Sequence, residues 1–374
     1  MNEMIEKAVA HYRELLLAQI ARAESMEKKA PPEKKEKTVI GIIGGDGIGP
    51  IIVAEARRAL EKLLAEEIAA GTVEIREIEG LTIENRLEKG KAVPDDVLDQ
   101  IKACDVLLKG PTTTPSGGTM ESANVTLRRE LDLFANVRPV SIPEENIDWM
   151  FFRENTEGEY TLGSKGIELP DLLTMDFKVT TQAGTRRIAR AAFEYAKNNG
   201  KTHVAIVTKS NIMKKTDGMF SQICHAMAAE YPGITAEEYY IDIMSAHLVN
   251  PDMRGKFQVF LMPNLYGDIL TDEAAQLQGG VGTAGSANQG DRYAMFEAIH
   301  GSAPRMMEAG LGDYANPESI LRAAVMMLRH LGLSKKAEKL ECSLEKAAAL
   351  CPVTGTRQGH TCRELGDQLL QLLG

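Results

Sequence analysis

The sequence predicts an α/β protein built on a largely parallel sheet, and three observations predict it. A short apolar strand, Thr38 to Ile43, runs into Gly44-Gly45-Asp46-Gly47-Ile48-Gly49-Pro50 and then into a strongly periodic helix from about Ile51 to Leu64. Further strand candidates, Val106-Leu107-Leu108, Val204 to Val207 and Val259 to Met262, are separated by helical patterns, the alternation that crossover units require. The chain has 374 residues, 44% of them hydrophobic, which is enough for two ordinary domains or one large α/β unit with a smaller lobe.

The elements follow in order. Residues 2 to 28 place Ile5, Val9, Tyr12, Leu16 and Ile20 at helical spacing, and Lys29 to Lys37 follows with two prolines among many charges. This reads as a surface-docked or oligomerising helix and a linker, with a regulatory extension as the alternative. The glycine turn after the first strand invites a dinucleotide-binding reading, in which helix N–H groups hold a pyrophosphate. Its spacing is wrong for that: Pro50 takes the sixth position of GxGxxG, and no acidic residue follows on a clear second strand. A tight structural turn is the preferred reading. Helical periodicity then dominates from Pro317 to Leu350 and from Arg363 to Leu373, and no internal repeat interrupts the chain.

Composition excludes several classes. A formal net charge of −10 does not suit a phosphate-backbone binding surface, so no nucleic-acid partner is expected. Five cysteines, Cys104, Cys224, Cys342, Cys351 and Cys362, are odd in number and contain no CxxC pair, which argues against a disulfide framework or a zinc site and for a reduced, cytoplasmic setting. No apolar run reaches the ~18 residues of a membrane span. Glu3, Glu6 and Glu14 also interrupt the N-terminal apolar pattern, so neither a membrane association nor a signal peptide is expected.

Two clusters carry chemistry. Gly110-Pro111-Thr112-Thr113-Thr114-Pro115-Ser116-Gly117-Gly118 offers hydroxyls and backbone N–H groups, and Ser122, Asn124 and Arg128 follow in a turn that opens onto a helix, close enough to face one anion. Arg138 and Arg153 add two guanidiniums, which bind carboxylates bidentately and stay charged. The alternative is that these arginines only pair with neighbours such as Glu130 and Glu154. Asp268 and Asp272 follow the strand Val259 to Met262; a helix starting at Asp268 would put both carboxylates on one face past a strand end, where Mg²⁺ or Mn²⁺ is a natural occupant. Helix capping by a first-turn acid is the blander reading.

Together these segments resemble the β-decarboxylating dehydrogenases, the family of isocitrate, isopropylmalate, homoisocitrate and tartrate dehydrogenases. The likeness spans about residues 38 to 374 and is carried by Ser122 to Arg128, Arg153-Glu154-Asn155-Thr156-Glu157-Gly158-Glu159-Tyr160, Lys209-Ser210-Asn211-Ile212-Met213, Asn264 to Asp272, and His300-Gly301-Ser302-Ala303-Pro304. The resemblance implies a two-domain fold, with a large domain from 38–132 plus 285–374, a small domain 133–284 holding a clasp around 161–182, and residues 1–37 as an extension. It implies that Ser122, Asn124, Arg128, Arg138 and Arg153 bind substrate carboxylates. Asp268 and Asp272, with the partner subunit's Asp242, would hold the metal, and Tyr160 would act as acid–base pair with the partner's Lys209. Lys109, Thr113, Asn211, Glu297, His300, Gly301 and Asn316 would line the cofactor pocket. The partners implied are a small-molecule substrate and a second copy of the chain, in a homodimer with shared active sites.

The residue types suit the chemistry: a lysine close to arginines and a metal can accept a proton near neutral pH, and a tyrosine can return one to an enol. Ser122 and Asn124 can hydrogen-bond a γ-carboxylate, whereas an isopropyl group would leave both unpaired at ~1–3 kcal/mol each. Isocitrate is therefore preferred over isopropylmalate, with homoisocitrate and tartrate as alternatives. For the cofactor, Arg305 stands where NAD-preferring relatives commonly carry an acid, and an arginine there suits a 2′-phosphate. Yet Val353-Thr354-Gly355-Thr356-Arg357 lacks the tyrosine of bacterial NADP-type relatives, so NAD is expected ahead of NADP. A phosphate on Ser122 would repel a substrate carboxylate, the control that related bacterial enzymes use. A non-catalytic, ligand-sensing subunit is the competing reading, and retention of Tyr160, Lys209, Asp242, Asp268 and Asp272 speaks against it.

Overall fold

The computed structural model describes residues 2–26, 37–115, 120–163, 165–280 and 284–374. Most of the predicted linker, Ser116 to Gly118 of the threonine turn and one position of the expected clasp lie outside the described residues. In chain order the elements are α1 (Asn2–Met26), β1 (Thr38–Ile43), α2 (Gly49–Leu63), α3 (Ala65–Ala69), β2 (Val73–Glu77), α4 (Ile83–Lys89), α5 (Asp95–Lys102), β3 (Val106–Lys109), α6 (Ala123–Glu130), β4 (Ala135–Ile142), β5 (Ile147–Glu154), β6 (Ile167–Leu169) and β7 (Leu173–Met175). There follow α7 (Gln182–Asn198), β8 (His203–Thr208), α8 (Thr216–Ala228), β9 (Thr235–Tyr240), α9 (Ile241–Val249), α10 (Pro251–Arg254), β10 (Val259–Met262) and α11 (Asn264–Leu277). The last elements are β11 (Gly285–Gln289), β12 (Ala294–Ala298), α12 (Pro304–Glu308), α13 (Glu318–His330), α14 (Ser334–Leu350) and α15 (Cys362–Leu372).

The chain divides into two compact units: residues 1–32, 134–136 and 140–274 form unit 1, and residues 33–133, 137–139 and 275–374 form unit 2, so β4 contributes to both. In unit 1 the strands β5, β10, β8 and β9 lie side by side in that order, all parallel, with Val259 paired to Met150 and Val204. Their buried faces are aromatic: Phe151 and Phe260 stack at 4.3 Å, and Trp149 meets both edge-on. In unit 2 the order is β2, β1, β3, β12 and β11, parallel except for the last pair. The four residues of β3 are all buried: Val106, Leu107 and Leu108 are the apolar run expected of a parallel strand covered on both faces, and Lys109 ends it.

One expectation needs correction, the start of the helix that bears Asp268, and two helical stretches gain detail. The stretch 317–350 is two helices, because Gly332 adopts a left-handed conformation (φ 76°) that ends α13 and lets the chain turn into α14. The helix that bears Asp268 starts at Asn264, since Pro263 ends β10 and its carbonyl accepts the first helical bond, from Gly267 N–H at 3.0 Å. Asp268 and Asp272 thus sit inside the helix, and capping does not explain Asp268. The helix α1 leaves Ile5, Val9, Leu16 and Ile20 exposed, sets the Tyr12 ring 5.4 Å from that of Phe177, and buries Leu15.

The glycine turn after β1 is structural. Three of its backbone donors are consumed within the protein, Asp46 N–H by Pro111 O at 2.8 Å, Ile48 N–H by Ser302 O at 3.1 Å and Gly49 N–H by Asp46 O at 2.9 Å. Gly47, at φ 58°, lies so close to Ser302 that a Cβ would fall 2.1 Å from that carbonyl oxygen.

Candidate active site

The predicted residues of unit 1 gather where its parallel strands end, the edge at which α/β sheets form sites. Arg153 is the penultimate residue of β5, α11 follows β10, Lys209 follows β8, and Asp242 opens the helix after β9. Arg153, 1% exposed, threads its stem across α11, where a Cβ on Gly267 would stand 2.4 Å from the arginine Cγ. The guanidinium donates to Asn264 Oδ1 from Nε at 2.9 Å and from Nη2 at 2.7 Å, and its Nη1 donates to Asp268 Oδ1. The other oxygen of Asp268 accepts from the Tyr160 hydroxyl at 2.8 Å, and the guanidinium lies 5.4 Å from the centre of the tyrosine ring. Arg153, Tyr160 and Asp268 therefore form one hydrogen-bonded cluster, with the exposed Asp272 one turn further along α11.

Lys209 and Asp242 form a second cluster. The Lys209 ammonium donates to Asp242 Oδ1, and this bond holds the Asp242 carboxyl below its usual range. Lys209 is itself anchored by its N–H, which donates to Asp217 Oδ2 at 2.8 Å. Asn211 lies exposed in the turn that follows. Among the described residues no group of three histidines, cysteines or acids is placed to hold a metal, so Asp242 does not join Asp268 and Asp272 within one chain. The donor types nevertheless fit a hard divalent cation: two carboxylates at i, i+4 on one helix, both reaching solvent, leave positions for substrate and for further oxygen ligands.

In unit 2 the predicted residues also follow strand ends, those of β3 and β12. Lys109 is wholly buried and donates to Gly110 O at 2.8 Å, with Glu297 Oε2 at 3.2 Å. Glu297 also accepts from Arg128 Nη2 at 3.3 Å and from Asn288 Nδ2 at 2.7 Å. Burial pushes the Glu297 carboxyl up, but the Lys109 ammonium, the Arg128 guanidinium and the Asn288 amide outweigh it and hold the group at about 2. Burial also draws the Lys109 ammonium down. With two cations facing one carboxylate, the ionised form of Glu297 is the one the site keeps. Arg128 is thus tied to Glu297, not to Glu130, and its buried Nε has no partner among the described residues.

Ser122 stands at the N-cap of α6 and makes no capping bond, while Asn124 Oδ1 accepts from Thr112 Oγ1 at 3.3 Å. Arg138 is buried on β4. Thr113 is held from both sides, by its N–H to Asp46 Oδ2 at 2.7 Å and by its hydroxyl to Ser302 Oγ at 2.7 Å. A cavity of about 550 Å³ is lined by Ile48, His300, Gly301, Met306, Asn316 and Val353 among others. His300 Nδ1 lies 3.0 Å from Gly301 O, and its buried Nε2 has no partner among the described residues; burial lowers the imidazole's proton affinity and favours the neutral ring. Asn316 is braced by Glu318, whose N–H donates to its Oδ1 at 2.9 Å. An orphaned polar atom in the wall of a cavity of this size suits a ring-bearing cofactor with hydrogen-bonding edges. Arg305 is exposed on α12 and is not part of the lining.

Several functional residues escaped the sequence reading. Asn264 carries Arg153 and donates to Glu157 O at 3.0 Å. Asn288 orients Glu297, and Asp46 joins the glycine turn to Thr113 and to Ile83 N–H. Each is a polar residue embedded in apolar strand or turn sequence, which is the available signal. Asn264 and Asp46 bond partners 37 to 111 positions away, and Asn288 meets Glu297 because β11 and β12 pair antiparallel.

Residues 39–369 match the sequence model of the isocitrate/isopropylmalate dehydrogenase family. The chain is 40% identical over 315 residues to a probable mitochondrial NAD isocitrate dehydrogenase subunit alpha of Drosophila melanogaster, covering 81% of this chain and 78% of the relative. It is also 40% identical over 322 residues to an NADP isocitrate dehydrogenase of Rickettsia prowazekii, covering 83% of this chain and 63% of the relative. A crystal structure of isocitrate dehydrogenase from Methylococcus capsulatus superimposes with a TM-score of 0.79 at 33% identity, covering 90% of this chain and 99% of that one. No described helix is long and apolar enough to cross a membrane.

Proposed function

Because the chain belongs to the isocitrate/isopropylmalate dehydrogenase family, we propose that it oxidises and decarboxylates isocitrate to 2-oxoglutarate, using a nicotinamide cofactor and a divalent cation. The observation that carries this reading is the bond from the Tyr160 hydroxyl to Asp268, with Arg153 on the other carboxylate oxygen. It sets a proton donor, an anion-binding group and a metal-type carboxylate side by side. Similarity to relatives named for isocitrate supports the substrate.

Asp268 and Asp272 would hold Mg²⁺ or Mn²⁺, with Asp242 as a third ligand. When bound, the cation stabilises negative charge on the substrate oxygen, and the nicotinamide accepts a hydride. The remaining work falls to side chains of the protein. Arg153, Arg128 and Arg138 neutralise substrate carboxylates. Lys209 would take up the hydroxyl proton as the adjacent C–H bond breaks, and after CO₂ has left, Tyr160 returns a proton to the enol carbon. Ser122 and Asn124 select the γ-carboxylate. We take the active form to be a homodimer: Lys209 and Asp242 form one cluster and Tyr160 and Asp268 another, which suits donation of the first pair by the partner subunit.

NAD is the assigned cofactor. Its support is the run Val353-Thr354-Gly355-Thr356-Arg357, which lacks the tyrosine of bacterial NADP-type relatives. Purified protein with Mg²⁺ should reduce NAD on isocitrate far faster than on isopropylmalate, homoisocitrate or tartrate, as followed by nicotinamide absorbance. Equal or inverted rates would remove the substrate assignment. Loss of NADP use alone in Arg305→Ala would show that Arg305 reads the phosphate and would count against the NAD assignment.

A further inference from the structure

The helix α1 lies outside the stretch shared with the family, which begins at residue 39, yet it reaches the turn beside Tyr160. Part of its docking is apolar: Leu15 is buried and the Tyr12 ring lies 5.4 Å from that of Phe177, while Ile5, Val9, Leu16 and Ile20 stay exposed. Polar contacts hold its C-terminal half and its middle. His11 Nε2 lies 3.1 Å from Lys165 O, and Arg22 Nη2 donates to Thr156 O and to Glu157 Oε1, both at 3.2 Å.

Thr156 and Glu157 form the turn that leads from Arg153 to Tyr160. Glu154 and Glu157 are both buried here, and Glu154 is tied to the turn by accepting from Thr156 N–H and from Glu157 N–H at 2.6 Å. Burial and the neighbouring Glu157 carboxylate push Glu154 up to about 7, with the Arg187 guanidinium opposing them. Arg187 donates to Thr156 Oγ1 at 2.9 Å, and Glu157 is further bonded by Thr181 N–H at 2.8 Å. Two buried carboxylates three residues apart repel, and Arg22 is a cation bonded directly to one of them. From this turn a continuous path leads to the chemistry. Glu157 O accepts from Asn264 Nδ2 at 3.0 Å, Asn264 Oδ1 fixes the Arg153 guanidinium, and that guanidinium and Tyr160 share Asp268.

We propose that Arg22 is a positioning residue for the Arg153, Tyr160 and Asp268 cluster, acting through the Thr156–Glu157 turn and Asn264, so that the N-terminal helix is a working part of the active site. The assignment to catalysis rests on the isocitrate dehydrogenase reading above. In this role Arg22 sets the direction of Asn264 and hence of the guanidinium, without touching substrate.

The test compares full-length wild type, Arg22→Met and Arg22→Lys. Arg22→Met is expected to lower kcat for isocitrate about tenfold while KM for NAD stays within about twofold, and Arg22→Lys, which keeps the charge, is expected to recover most of the loss. Amide hydrogen exchange over residues 154–160 is measured on the same proteins without substrate, and should rise in Arg22→Met and return in Arg22→Lys. Wild-type kcat together with unchanged exchange in Arg22→Met would overturn the proposal. So would a fall in kcat that the lysine variant shares in full with no change in exchange at 154–160. If wild type turns over no isocitrate, the substrate reading fails on its own, and exchange still decides whether Arg22 holds the turn. Should the methionine variant not fold, the lysine variant and its exchange pattern decide alone.

Discussion

Replacing Glu297 by glutamine removes the one anion that faces both Lys109 and Arg128 in unit 2. The carboxyl is held at about 2 against an ordinary 4.5, a difference of about 2.5 units. At 1.36 kcal/mol per unit this corresponds to about 3 kcal/mol of folding free energy at neutral pH, in the range expected when one partner of a buried ion pair is lost. The sign follows from the depressed value. The folded protein keeps the group ionised where the unfolded chain binds a proton, so the contribution is complete above 4.5 and is lost as pH falls toward 2. Urea unfolding of wild type and Glu297→Gln at pH 7 should therefore show a stability difference of about 3 kcal/mol, shrinking steadily below pH 4.5. A difference that is the same at pH 7 and at about pH 3, or below about 1 kcal/mol at pH 7, would refute the account of a carboxylate stabilised by its two cations.

Three further outcomes are expected. Asn264→Ala frees the Arg153 guanidinium on its Nε and Nη2 side and should lower kcat by about 30-fold, equivalent to about 2 kcal/mol, with little loss of fold; steady-state kinetics beside circular dichroism checks this. Gly47→Ala would need both φ 58° and a Cβ 2.1 Å from Ser302 O, so it should destabilise by more than about 2 kcal/mol in urea titrations, and a neutral effect would contradict the turn geometry. Ser122→Asp places a charge at the N-cap of α6, where a substrate carboxylate is expected, and should raise KM for isocitrate at least about tenfold; a near-normal KM would reject control by phosphorylation at this serine.

The α/β class and the strands β1, β3, β8 and β10 were legible in the chain, because parallel strands buried on both faces appear as short apolar runs between amphipathic helices, a pattern that is local in sequence. The i, i+4 spacing of Asp268 and Asp272 was legible for the same reason, although the helix begins a turn earlier, where Pro263 ends the strand. The structural nature of the glycine turn was readable from Pro50, and the carbonyls of Pro111 and Ser302 supply the reason.

What only the tertiary structure decided is which charges meet. The alternative reading paired the arginines with neighbours such as Glu130 and Glu154; the fold gives Arg128 and Arg153 the partners Glu297 and Asp268, across 169 and 115 positions. Periodicity marked the apolar stripe of α1 but assigned it no side; the helix docks by Leu15, Tyr12, His11 and Arg22 and leaves Ile5, Val9, Leu16 and Ile20 exposed. The physical reason is the same in both cases. Backbone geometry and hydrophobic period are set by residues a few places apart, whereas a buried charge must find its counter-charge wherever the strand order brings one.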